Sequence, residues 1–119
     1  MSLPLTPHML AAAYDFLREC PPFKGWKLPE AEGIEFRVVR DPTLHGWHKC
    51  DAGNHCISVS EAGVGQTITL LKVVAHEMIH LWQYNCKLDH AHSHHNAKFR
   101  TTARVVCEIH GWDVKAFFF

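Results

Sequence analysis

"TITLLKVVAHEMIHLWQYNC", residues Thr67–Cys86, decides how this chain folds. Ile68, Leu71, Ala75, Met78 and Trp82 recur at helical spacing, and Leu70, Val73, Val74, Ile79 and Leu81 carry the apolar surface almost all the way round. A helix that is apolar on nearly every side is a buried one. One polar stripe interrupts it: Lys72, His76, His80 and Gln83, with Glu77 at its edge. Burying imidazoles and a carboxyl is costly unless something satisfies them, so this stripe is where chemistry is expected.

Working outward, "LTPHMLAAAYDFLREC" (Leu5–Cys20) reads as an earlier helix. Thr6 can cap it, Pro7 suits the first helical position, and Met9, Leu10, Ala13, Phe16, Leu17 and Cys20 give it an apolar face. Pro21 and Pro22 stop it. "GIEFRVVRD" (Gly33–Asp41) alternates Ile34, Phe36 and Val38 against Glu35, Arg37 and Arg40, the pattern of a strand with one buried face. "GWHKC" and "HCISVS" read as two more short strands around the turn "DAGN". Beyond the central helix, "NAKFRTTARVVCEIHG" (Asn96–Gly111) places Phe99, Ala103, Val106 and His110 on one face and ends on a natural glycine cap. The expected class is α+β: an N-terminal helix, a small three-stranded antiparallel or mixed sheet, a buried helix, a loop and a C-terminal helix.

The chain has 119 residues, 47% of them hydrophobic and 20% charged, which suits one globular domain. Twelve Lys and Arg balance twelve Asp and Glu, so no basic field advertises nucleic acid. No apolar run approaches the roughly 20 residues needed to span a bilayer, and "MSLPLTPHML" lacks the pattern of a signal peptide. Five cysteines without framework spacing then point to reduced thiols and a cytoplasmic location. The composition gives no oligomeric state.

Within the buried helix stands "HEMIH". His76 and His80 are one turn apart, about 6 Å along the axis, so both imidazoles can reach one ion. Zinc suits neutral imidazole, and a catalytic zinc site keeps a position open for water. Glu77 lies beside the pair, where a carboxylate can take a proton from such a water. Two histidines do not complete a catalytic site. The metzincin continuation needs Gly at 83 and His at 86, and the chain has Gln83 and Cys86. The remaining candidates are Glu108 on the last helix and four loop histidines, His90, His92, His94 and His95.

"VVAHEMIHLWQY" followed by "HHNAKFRTTARVVCEIHGW" resembles the SprT-like metallopeptidase family, the group that includes Spartan-type proteases of DNA–protein crosslinks. The resemblance covers most of residues 30 to 113. In that family a His-Gly-x-x-Phe motif opens the helix after H-E-x-x-H, and its histidine is the third zinc ligand. The matching residues are His95-Asn96-Ala97-Lys98-Phe99, with His94 or His92 as register alternatives. The resemblance therefore implies a zincin-like fold and a zinc metallopeptidase, with His76, His80 and His95 on the metal and Glu77 as catalytic base. It implies a protein or peptide substrate, with DNA association through the substrate or a partner. No C-x-x-C pair stands among the 119 residues, so the C-terminal zinc ribbon common in the family is not expected here. It also departs at Asn96, where the family has glycine; Asn is the next residue most tolerant of left-handed geometry. Phe99, one turn into the helix, is expected to pack on the buried helix and fix the height of His95.

Other features carry weaker expectations. His48, Cys50, His55 and Cys56 cluster on the hairpin and could form a second zinc site, although alternation points His55 and Cys56 to opposite faces. "CISVS" is a candidate edge strand for pairing with an extended substrate, or an ordinary edge strand. The tail "VKAFFF" is expected to pack on the core. Tyr84, His110 and Arg104 are open candidates for stabilising an oxyanion. The rival to an enzyme is a non-catalytic module in which zinc only stabilises a DNA- or protein-binding fold.

Overall fold

The computed structural model describes residues 5–64, 67–87 and 95–117. Helix α1 (Pro7–Arg18) starts where Thr6 Oγ1 accepts from the Met9 N–H at 3.2 Å, and it buries Leu10, Ala13, Tyr14 and Leu17. It ends before Cys20, two residues earlier than its apolar pattern. Strand β1 (Ile34–Val39) is followed by the hairpin of β2 (Gly46–Asp51) and β3 (Asn54–Ser60). The hairpin turns on Ala52 and Gly53, both at positive φ (51° and 82°), the geometry of a two-residue loop that follows the twist of its strands.

The sheet order is β1-β3-β2, with β1 parallel and β2 antiparallel to β3, so the sheet is mixed. This corrects the reading of "CISVS" as an edge. β3 is the central strand, hydrogen-bonded on both sides, and β2 is the edge on the side of the histidine helix. The register puts Ile34, Phe36 and Val38, His55, Ile57 and Val59, and Gly46, His48 and Cys50 on one face. That face is covered by α1 and by α2 (Thr67–Asn85). The Tyr14 and Phe36 rings meet edge-on at 5.6 Å, and Tyr14 Oη donates to the Pro29 carbonyl at 2.6 Å, which locks α1 to β1.

As its composition demands, α2 is buried on nearly every side. Ile68 and Tyr84, towards its two ends, are the exceptions among its large side chains, each 43% exposed. Helix α3 (Ala97–His110) buries Phe99, Thr102, Ala103, Val106 and Cys107. Gly111, left-handed at φ 73°, closes it with the Trp112 N–H on the Cys107 carbonyl at 2.9 Å. The chain then turns back into a single helical turn, α4 (Val114–Phe117). Phe117 is fully buried, so the tail packs on the core as far as that residue. Burying a Phe side chain of this kind contributes about 1.5–3 kcal/mol. Among the described residues no helix is long and apolar enough to cross a membrane.

Candidate metal centre

His76 sits in the middle of α2, 2% exposed. Its Nδ1 lies 3.0 Å from the Phe117 carbonyl oxygen, which can only accept, so Nδ1 carries the proton. Nε2 is left with its lone pair, 3.1 Å from His95 Nε2. Burial pushes the His76 pKa down to about 3, partly opposed by the Phe117 carbonyl, so the ring is neutral at physiological pH. Neutral imidazole is the form that binds a metal.

His80, one turn on, and His95, just before α3, complete a group whose candidate ligand atoms all lie within 4.8 Å of one another. Tetrahedral zinc at about 2.0–2.1 Å from each nitrogen spaces its ligands by roughly 3.3 Å, so the cluster fits with small ring movements. No other metal-sized group of His, Cys, Asp or Glu forms among the described residues. His90, His92 and His94 lie outside the described residues.

The placement of His95 has three identifiable causes. Phe99 stacks on both the His80 ring (centroids 4.4 Å, 20° apart) and the His95 ring (4.7 Å, 18°), as its position in the motif predicts. Arg100 Nη1 donates to the His95 carbonyl at 2.6 Å. Asn96 caps α3, its Oδ1 accepting from the Phe99 N–H at 2.9 Å and from Gln83 Nε2 at 3.2 Å. Asn96 has φ −69°, so its role is capping, and the expectation of left-handed tolerance is corrected.

Glu77 is 1% exposed, and burial pushes its carboxyl up to about 8. It borders the same cleft as the three histidines, a hollow of about 470 Å³ whose other wall is β2 from Gly46 to Cys50. Gly46 makes that wall possible. A Cβ there would stand 2.8 Å from the Ser58 carbonyl, 2.8 Å from Val73 Cγ1 and 3.4 Å from Glu77 Oε2. Only a glycine lets the strand come this close to α2 and to the carboxyl.

Glu108 is exposed on α3 and takes no part in the cluster. Of the three oxyanion candidates, Tyr84 lines the cleft. Arg104 is exposed, and His110 is bound through Nε2 to the Pro21 carbonyl at 2.8 Å and stacked on Trp112. The second zinc site does not form. His48 Nε2 instead lies 2.8 Å from His55 Nδ1, and His55 Nε2 lies 3.1 Å from Asn85 Oδ1. Cys56 is on the opposite sheet face, as alternation requires.

Sequence reasoning missed Gly46, the Gln83–Asn96 link, the Phe117 carbonyl and the His48–His55–Asn85 chain. Gln83 carried a usable signal, as a polar residue on the buried stripe one turn beyond His80. The others depend on pairings distant in sequence.

No curated protein matches the chain. A model of the SprT-like family matches residues 25–116, a span that includes both histidine motifs and all three strands. Covering most of the 119 residues, that match makes this chain a member of the SprT-like family.

Proposed function

We propose that the chain is a zinc-dependent endopeptidase in which His76, His80 and His95 hold the metal and Glu77 is the general base. The observation that carries the reading is the convergence of three imidazoles with a buried carboxyl beside them at the wall of one cleft. A structural zinc site has no use for that carboxyl, whose burial costs free energy.

When bound, zinc would supply a Lewis acid that polarises a peptide carbonyl and acidifies water. The chain's own groups do the rest. A nearby cation favours the ionised form of Glu77 over the neutral form that burial favours. As carboxylate, Glu77 accepts a proton from the water attacking the scissile carbon. It then passes that proton to the leaving nitrogen as the C–N bond breaks. Among the described residues no further strand pairs with the outer side of β2, which borders the cleft, so an extended peptide can add there through main-chain hydrogen bonds.

Family membership supports protein substrates that are unfolded or bound to DNA. The balanced charge favours delivery to DNA by the substrate or a partner. A reducing, cytoplasmic setting suits the five free thiols.

The test is Glu77→Gln. The variant is expected to keep one zinc per chain while losing cleavage of denatured protein and of protein crosslinked to DNA. If the parent chain binds zinc yet cleaves neither substrate, the reading is wrong and zinc only stabilises a binding module.

A further inference from the structure

The partner of His76 comes from an unexpected part of the chain. Its Nδ1–H donates to the carbonyl of Phe117, 41 residues away. Phe117 lies just past residue 116, where the family match ends. Its ring is fully buried, with centroids 5.5 Å from His76 and 6.0 Å from Trp112. The turn carrying it is itself fixed: Gly111 reverses the chain after α3, and Asp113 Oδ1 accepts from the Lys115 N–H at 2.9 Å. The buried ring therefore holds the carbonyl in register with the imidazole.

We propose that the Phe117 carbonyl is a positioning group of the metal centre. It fixes the proton of His76 on Nδ1 and aims Nε2 at the site that His80 and His95 share. The inference rests on the zinc reading above. Coordination at Nε2 draws electron density from the ring and makes Nδ1–H a stronger donor. The hydrogen bond is then tighter with metal than without, and the difference appears as metal affinity. Outer partners of metal-bound histidines typically account for about 10–100-fold in affinity. The α4 turn, far from the H-E-x-x-H motif in sequence, thereby belongs to the same functional unit.

Two measurements test this. In metal-free protein labelled with ¹⁵N-histidine, His76 is expected as the Nδ1–H tautomer; a proton on Nε2 overturns the proposal whether or not zinc binds. Second, phenyllactic acid in place of Phe118 turns the Phe117–Phe118 amide into an ester, which weakens the Phe117 carbonyl as an acceptor and leaves every side chain in place. Zinc affinity, read by chelator competition, should fall about tenfold. The same replacement at Phe16, exposed on α1, should leave it unchanged. Truncation after Asp113 removes the carbonyl altogether and should cost more than the ester. Undiminished affinity in the Phe118 ester, or an equal loss in the Phe16 ester, sinks the proposal alone. A parent chain that binds no zinc sinks the metal reading and the proposal together.

Discussion

Gln83 and Asn96 join the two parts of the candidate metal centre: the Gln83 amide, one turn beyond His80, donates to the Asn96 side chain, one residue after His95, at 3.2 Å. The second Gln83 side-chain atom, Oε1, is buried without a hydrogen-bond partner among the described residues. The bond thus ties the helix carrying two histidines to the cap of the helix that follows the third.

Stability and metal affinity should separate when this bridge is cut. Gln83→Leu loses one hydrogen bond but also removes an unsatisfied buried oxygen, so metal-free stability should stay within about 1 kcal/mol of the parent. Its zinc affinity should nevertheless drop severalfold. Asn96→Ala loses the cap too and should cost about 1 kcal/mol in urea unfolding, whereas Asn96→Asp keeps both acceptor roles and should resemble the parent. An Asn96→Ala chain with full stability and full affinity would contradict this account.

The origin of the third ligand is open to direct metal analysis. His95→Ala should be purified with little zinc, and Glu108→Ala with one zinc per chain. The reverse pattern would require α3 to rotate its exposed carboxylate inward.

Gly46→Ala should be costly for its size. The new methyl meets a backbone oxygen and Val73 at 2.8 Å each, so β2 must retreat from α2. Overpacking of this kind costs about 1–3 kcal/mol, visible as a lower urea midpoint. The same retreat opens the wall beside Glu77, so the proposed peptidase activity should fall further than the stability loss explains. A fully active, fully stable Gly46→Ala would show that the close approach is dispensable.

Without metal, pH should act on stability through Glu77 and His76 in opposite directions. Glu77 moves from its ordinary 4.5 to about 8 on folding, so between those values the folded chain binds more protons than the unfolded one. Stability contributed by this group is therefore lost as pH rises through that window. His76 moves from 6.5 down to about 3, so its contribution is lost as pH falls through that range. Glu77→Gln removes the first slope. In chelator, its unfolding temperature should exceed the parent's at pH 8, by a margin that shrinks towards pH 5. A margin independent of pH would mean that Glu77 is not desolvated.

The central helix and its turn-spaced histidine pair were legible because both depend on spacing within one segment. The hairpin was legible too, since "DAGN" lies between two runs of strand-forming residues. Sheet order was not. β1 pairs with β3 and skips β2, the strand between them in sequence, and nothing in either strand's own pattern distinguishes a central position from an edge. The role of Asn96 was not legible: the sequence suggested left-handed tolerance, whereas its φ is −69° and its two acceptor contacts appear only once α2 and α3 are packed. The contact from Phe117 was harder still, because every residue has a carbonyl and no residue type announces its use.

The position of β2 at the margin of the sheet has a consequence for selectivity. A polypeptide laid against it would be gripped by features that all twenty amino acids share, leaving little discrimination among side chains. Choice would then fall on conformation: an intact domain, whose strands are already partnered, has no loose stretch to offer. Such an enzyme would spare well-folded neighbours and consume polypeptides that have come undone, with no need to recognise any particular sequence.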